Sequence, residues 1–119
     1  MSTAPIPSRG EVWSVDFDPS VGAEIRKVRP AVVISVDAVG RLPLRIVMPL
    51  TDWKAAYAAY PWFVEISADS ANGLAKDSDA DAFLTKSVAE ARFVRKLGEL
   101  RMDQLDAIAE AIALCVGVP

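Results

Sequence analysis

The apolar residues of this chain change their spacing once, and the change decides what it can become. Up to Leu97 they come in short runs, alternating or β-branched, broken by Gly and Pro. From Met102 they recur every three or four residues: Leu105, Ile108, Ala109, Ile112, then Cys115 or Val116. A two-residue period is that of a half-buried strand, and the longer spacing is that of an amphipathic helix. The spacing predicts a mainly β body with one helix at its C-terminal end.

Six strands are expected. Trp13, Val15 and Phe17 alternate with Ser14 and Asp16 in the first, Glu11–Phe17. Residues 31–36 form a β-branched run suited to a strand buried on both faces. Residues 44–50 form a third, with Pro49 marking its end or an edge because Pro cannot donate to a ladder. Residues 62–66, 82–88 and 93–97 complete the set. Residues 37–43 read as a turn, 51–60 as a loop or one helical turn, 68–81 as a polar surface loop, and 89–92 as a helical turn or bend. Asp103 and Asp106 fall in the first turn of the helix, and Gly117 and Pro119 stop it. Short strands with turns between them suggest a small barrel, with the helix over an open side.

At 119 residues, 52% hydrophobic and 24% charged, the chain reads as one domain spanning 1–119. It has no His, which excludes Ser-His-Asp triads, HExxH zinc sites and two-histidine ribonuclease chemistry. Its one cysteine, Cys115, excludes a disulfide framework and is expected to be packed. Nothing reads as a membrane span or a signal peptide, so the cytoplasm is the expected compartment. Asp77, Asp79 and Asp81 are spaced like part of a calcium loop but lack its Gly and Glu, and read as solvated loop.

The net charge of −3 is unevenly spread. Residues 1–51 carry six basic and five acidic groups; residues 52–119 carry seven and eleven. Arg26, Lys27, Arg29 and Arg41 crowd the first half, so an anion site could be local to them. The long loop 18–30 delivers Arg29 to the threshold of an apolar strand. Arg suits bidentate phosphate contact, although pairing with Asp16 or Asp18 would serve equally.

The residues 9–24, RGEVWSVDFDPSVGAE, and then 28–35, VRPAVVIS, resemble the N-terminal signature of the MazF/PemK (Kid) toxin family. Residues 47–51 (VMPLT), 60–65 (YPWFVE) and 85–89 (TKSVA) match further family segments in the same order. The resemblance implies an SH3-like or CcdB-like small barrel with a C-terminal helix, acting as a homodimer. It implies the toxin of a type II toxin–antitoxin module, and an endoribonuclease that cuts single-stranded RNA without metal or cofactor. The products would be a 2′,3′-cyclic phosphate and a 5′-hydroxyl. The family's catalytic Arg and Thr match Arg29 and Thr51, and its loop acid matches Glu24, the candidate base or the residue that orients Arg29. Arg26, Lys27, Trp53, Lys86 and Ser87 are the candidate RNA contacts, and Tyr57 or Tyr60 could stack on bases. The expected partner is a cognate antitoxin with a disordered, acidic tail.

Three positions depart from the family: Ala23 replaces a Ser, and Ile25 and Leu84 stand where Gln is common. They leave open an inactive regulatory partner of the antitoxin. A CcdB-like toxin that binds DNA gyrase is a further alternative, though no Trp stands near the C-terminus.

Overall fold

The computed structural model describes residues 6–38 and 43–119. Seven strands form one antiparallel sheet: β1 (Glu11–Asp16), β2 (Val28–Val33), β3 (Leu44–Asp52), β4 (Phe63–Ile66), β5 (Ser78–Asp81), β6 (Lys86–Ala89) and β7 (Phe93–Glu99). The order is β4-β5-β3-β2-β1-β7, with β6 also pairing to β3. Among the described residues no pairing joins β4 to β7, so the curled sheet is barrel-like and open. One helix, α1 (Met102–Cys115), follows as expected.

The long strand β3 organises the sheet. One side pairs with β2 through residues 47–49; the other pairs with β6 at Leu44–Val47 and with β5 at Leu50–Asp52. Pro49 therefore sits inside a strand and does not end it. The Ile46 carbonyl accepts from Ile34 and Ser35, so even-numbered residues bond toward β2. By alternation Pro49 faces the other side, where the partner changes from β6 to β5 and no ladder bond is required. Pro30 is placed in the same way. Lys27 accepts from Phe17, so Pro30 faces away from β1, toward a β3 whose pairing begins only at Ala31.

Further elements differ from the expected pattern: β2 begins at Val28, inside the segment read as a loop, and ends at Val33. The polar segment 68–81 contains β5, and residues 82–88 hold a short 3-10 turn (Ala82–Leu84) followed by β6. Ser78 and Asp79 are buried in β5, and Asp79 accepts the Lys54 N–H at 3.0 Å. Asp79 and Asp81 thus belong to a strand and its cap and not to a solvated loop, whereas Asp77 is exposed in the loop before it. Asp77 accepts from Ala68, and Asp81 caps the 3-10 turn. The turn expected at 37–43 lies partly outside the described residues, and Arg41 with it.

The sheet is covered on both faces. Val12, Val32, Met48, Leu50 and Ile66 pack with Leu105, Ile108 and Ala111 of α1. Trp13, Val15, Phe17, Ala31, Val33, Val47 and Val88 form a second cluster. A fully buried aliphatic such as Ile108 contributes roughly 1.5–3 kcal/mol. The helix begins with Gln104 Oε1 accepting the Arg101 N–H, and only Asp103 lies in its first turn; Asp106 falls beyond it. Gly117, at φ 75°, ends it. Cys115 is exposed, because the buried stripe runs through Leu105, Ile108 and Ala111.

Glu11 ties the start of β1 to β7. Its carboxylate accepts from Trp13 Nε1 (2.9 Å) and Ser8 N (2.8 Å), and it pairs with Lys96 (3.0 Å). Burial alone would raise the Glu11 carboxyl; these three partners outweigh burial and hold it below its ordinary value. The stability it contributes is therefore full above the unfolded-state value and is lost as pH falls through the lower folded value. The melting temperature of Glu11→Gln should lie several degrees below wild type at neutral pH. The gap should close below about pH 4; a gap independent of pH would refute this.

Candidate nucleic-acid interface and active site

Arg29 stands on β2 opposite Val15, and Thr51 stands on β3 opposite Asp79. The two strands are neighbours, so the two residues reach one open cleft of about 290 Å³. Ile25, Leu50, Asp52, Lys54, Tyr57, Asp81 and Leu84 complete its lining. Arg29 is exposed, and among the described residues no carboxylate lies within 4.0 Å of its guanidinium. Pairing with Asp16 or Asp18 does not occur: Asp16 accepts the Asp18 N–H, and Arg92 binds the carbonyls of both. The Thr51 hydroxyl donates to the Asp52 carbonyl at 3.2 Å.

Glu24, Ile25, Phe83, Leu84, Thr85 and Lys86 line a second hollow of about 160 Å³. It shares Ile25 and Leu84 with the first, so the two form a continuous groove with an apolar sill. These are two of the positions where the sequence departs from its family pattern. Glu24 Oε1 accepts the Val21 N–H at 2.7 Å and closes its own loop.

The other expected contacts are dispersed. Lys86 lies in the second hollow; Ser87 is exposed on β6 outside both. Arg26 donates to the Gly22 carbonyl, and Lys27 turns the loop with φ 63°. Neither they nor Trp53 line the groove. Tyr57 does, and its ring stacks on Phe63 at 3.9 Å, nearly parallel. Tyr60 lies outside the groove lining, tilted against Trp62 at 4.9 Å.

Asp52, Lys54 and Asp81 were not singled out as site residues. Asp52 could have been found, since it follows Thr51 immediately and ends the same strand, and Lys54 lies just beyond that end. Asp81 gave no such signal, because its strand reads as a polar loop. Lys76, 2.9 Å away, holds the Asp52 carboxyl below its ordinary value, and Arg29 and Lys54 add to this. Burial pushes the Asp81 carboxyl up, against backbone N–H groups of Phe83 and Leu84 that lower it. Among the described residues no group of three or more His, Cys, Asp or Glu converges as a metal site. No helix of the described residues is long and apolar enough to cross a membrane.

The groove thus offers a fork of N–H donors, a hydroxyl, two further cations and an aromatic face. That set suits a phosphodiester with a stacked base. Residues 8–116 match the family model for the PemK-like, MazF-like toxin of type II toxin–antitoxin systems. The chain is 37% identical over 112 residues to the endoribonuclease MazF9 of Mycobacterium tuberculosis, covering 89% of this chain and 92% of that protein. It is 31% identical over 114 residues to the endoribonuclease EndoA of Bacillus subtilis, covering 95% and 97%. The crystal structure of MazF from Deinococcus radiodurans superposes with a TM-score of 0.78 at 25% identity, covering 96% of this chain and 99% of that one. The match to the family model over most of its length, with relatives 37% and 31% identical along nearly the whole chain, places the chain in the PemK-like, MazF-like family of type II toxin–antitoxin toxins.

Proposed function

We propose that the chain, as one domain over residues 1–119, is a sequence-specific endoribonuclease acting on single-stranded RNA in the cytoplasm. The observation that carries this reading is the meeting of Arg29 and Thr51, from adjacent strands, in one open cleft. The substrate brings its own nucleophile, the 2′-hydroxyl beside the scissile phosphate, so neither metal nor cofactor is obligatory. Attack builds negative charge on the non-bridging oxygens. Arg29 presents paired N–H donors to that charge, and no ion pair within the described residues competes for them. Thr51 exchanges its bond to the Asp52 carbonyl for one to a phosphate oxygen. Glu24 holds the loop that leads into β2 and so positions Arg29, while Lys54 and Lys86 meet flanking phosphates and Tyr57 stacks on a base. The proposed products are a 2′,3′-cyclic phosphate and a 5′-hydroxyl.

Family membership supports a homodimer as the working form and a cognate antitoxin as the partner. One solved relative is described as a mycobacterial endoribonuclease in complex with its cognate antitoxin, and another as MazE-MazF of Deinococcus radiodurans.

The test is primer-extension mapping of a long single-stranded RNA incubated with purified protein in EDTA. Discrete cuts with cyclic-phosphate ends are expected. Thr51→Ala should cut about 10- to 100-fold more slowly, the value of one hydrogen bond to a charged group. No cuts by folded wild-type protein would defeat the enzyme reading.

A further inference from the structure

The cleft needs a proton acceptor, and the chain has no His to supply one. Three carboxylates stand in or beside the groove: Glu24, Asp52 and Asp81. Glu24 lies in the second hollow, beyond the apolar sill, with Oε1 engaged by the Val21 N–H. Asp52 is ion-paired to Lys76, which makes it a weaker proton acceptor. Asp81 lies in the cleft with Arg29 and Thr51, and among the described residues no cation lies within 4.0 Å of it.

The register places Asp81 well for this work. Thr51 pairs with Asp79, so Asp81 is the diagonal neighbour of Thr51 on the same face. Such neighbours stand roughly 7–8 Å apart, room for a ribose hydroxyl and its phosphate. Phe83 N–H binds Asp81 Oδ1 at 3.0 Å and fixes the carboxylate at the cleft wall.

We propose that Asp81 is the general base of the cleavage reaction, taking the proton of the attacking 2′-hydroxyl. The proposal rests on the ribonuclease reading above and names a residue for a step that reading leaves unassigned. As the 2′-O–H bond breaks, its proton passes to the Asp81 carboxylate and the 2′-oxygen bonds to phosphorus. The bond from phosphorus to the 5′-oxygen breaks with its electron pair on that oxygen, which takes a proton from water. Asp81 then returns its proton to solvent. Half-burial favours the role, since it raises the proton affinity of the carboxylate. The charged and titratable groups facing it across the cleft are Arg29 of β2, Asp52 of β3, and Lys54 and Tyr57 after it.

The test is single-turnover cleavage of a short single-stranded RNA containing the mapped cut site, from about pH 4 to 9. Asp81→Asn keeps an oxygen for the Phe83 N–H, so the turn is preserved. It should lower the plateau rate by ~10²–10⁴-fold and abolish the acid limb of the profile. Affinity for the uncleavable 2′-deoxy strand should stay within about threefold, a split that a purely structural role would not produce. Asp81→Glu, which keeps a carboxylate, should retain the acid limb at a reduced rate. If wild type cuts and Asp81→Asn keeps both rate and limb, the proposal fails and the ribonuclease reading stands. Transfer of that loss to Glu24→Gln, or loss of the limb in Asp81→Glu, overturns it as well. If wild-type protein cuts nothing, the ribonuclease reading itself has failed.

Discussion

Arg29→Ala should lower the rate of RNA cleavage by ~10³-fold or more while leaving the fold intact. Removing one well-placed donor to a developing oxyanion costs about 10²–10³, and an arginine acting on phosphoryl charge about 10³–10⁵. The loss should appear in kcat, because the charge that Arg29 meets is largest in the transition state. Stability should barely change. The side chain is exposed and, among the described residues, lies within 4.0 Å of no carboxylate. Arg29→Lys should recover little, since an ammonium keeps the charge and loses the paired fork. A variant that cuts within tenfold of wild type, with its melting temperature unchanged, would remove Arg29 from the mechanism.

The largest effect on stability is expected at Gly73, far from the cleft. Its φ is +68°, and a Cβ built there would stand 1.9 Å from the Leu97 carbonyl oxygen. Gly98 answers from β7: its Cβ would stand 2.2 Å from the Ala71 carbonyl oxygen. The loop before β5 therefore lies backbone against backbone on β7, where Glu99 N–H donates to Ala71 at 2.9 Å. Neither contact can relax by turning a side chain. Gly73→Ala combines a left-handed backbone with a backbone clash, so about 4 kcal/mol is expected. For a chain of this size that is a fall on the order of 15 °C, or failure to fold. Calorimetry decides the matter: a melting temperature within a few degrees of wild type would mean the loop moves off β7 at little cost.

The strands that bury apolar alternation, β1, the core of β2, and β3, were legible because their pattern is their packing. The helix was legible for the same reason. β5 was not. Ser78, Asp79 and Asp81 are polar, and polarity in a sequence reads as solvent; here Asp79 is buried against the Lys54 N–H. A hydrogen-bond partner twenty-five residues away leaves no local trace. The ends of β2 and β3 were hidden by Pro30 and Pro49, which look like breaks until the ladder is known to have gaps where they face. The site divides along the same line. Arg29 and Thr51 stand out through the motifs around them, and the fold sets them in one cleft. Asp81 belongs to the cleft through β5 alone, and a strand that cannot be seen cannot present a site residue. Arg26, Lys27 and Trp53 were plausible by charge and ring, yet their placement outside the groove follows from loop geometry that composition does not carry.

The loop that rests on β7 has a chemical consequence. Asn72-Gly73 is the kind of dipeptide that ages fastest in an unstructured chain. The unhindered glycine nitrogen attacks the asparagine side-chain carbonyl and expels ammonia to close a succinimide, which water opens to aspartate or isoaspartate. In the folded protein Asn72 is fully buried, its Oδ1 accepts from Asp69 and Leu74, and its Nδ2 donates to the Ser67 carbonyl. The Gly73 N–H is itself bonded to the Asp69 carbonyl at 3.2 Å. Both reactants are held apart by the bonds that shape the loop. Deamidation is thereby coupled to unfolding, and isoaspartate at position 72 becomes a covalent record of time spent outside the native state.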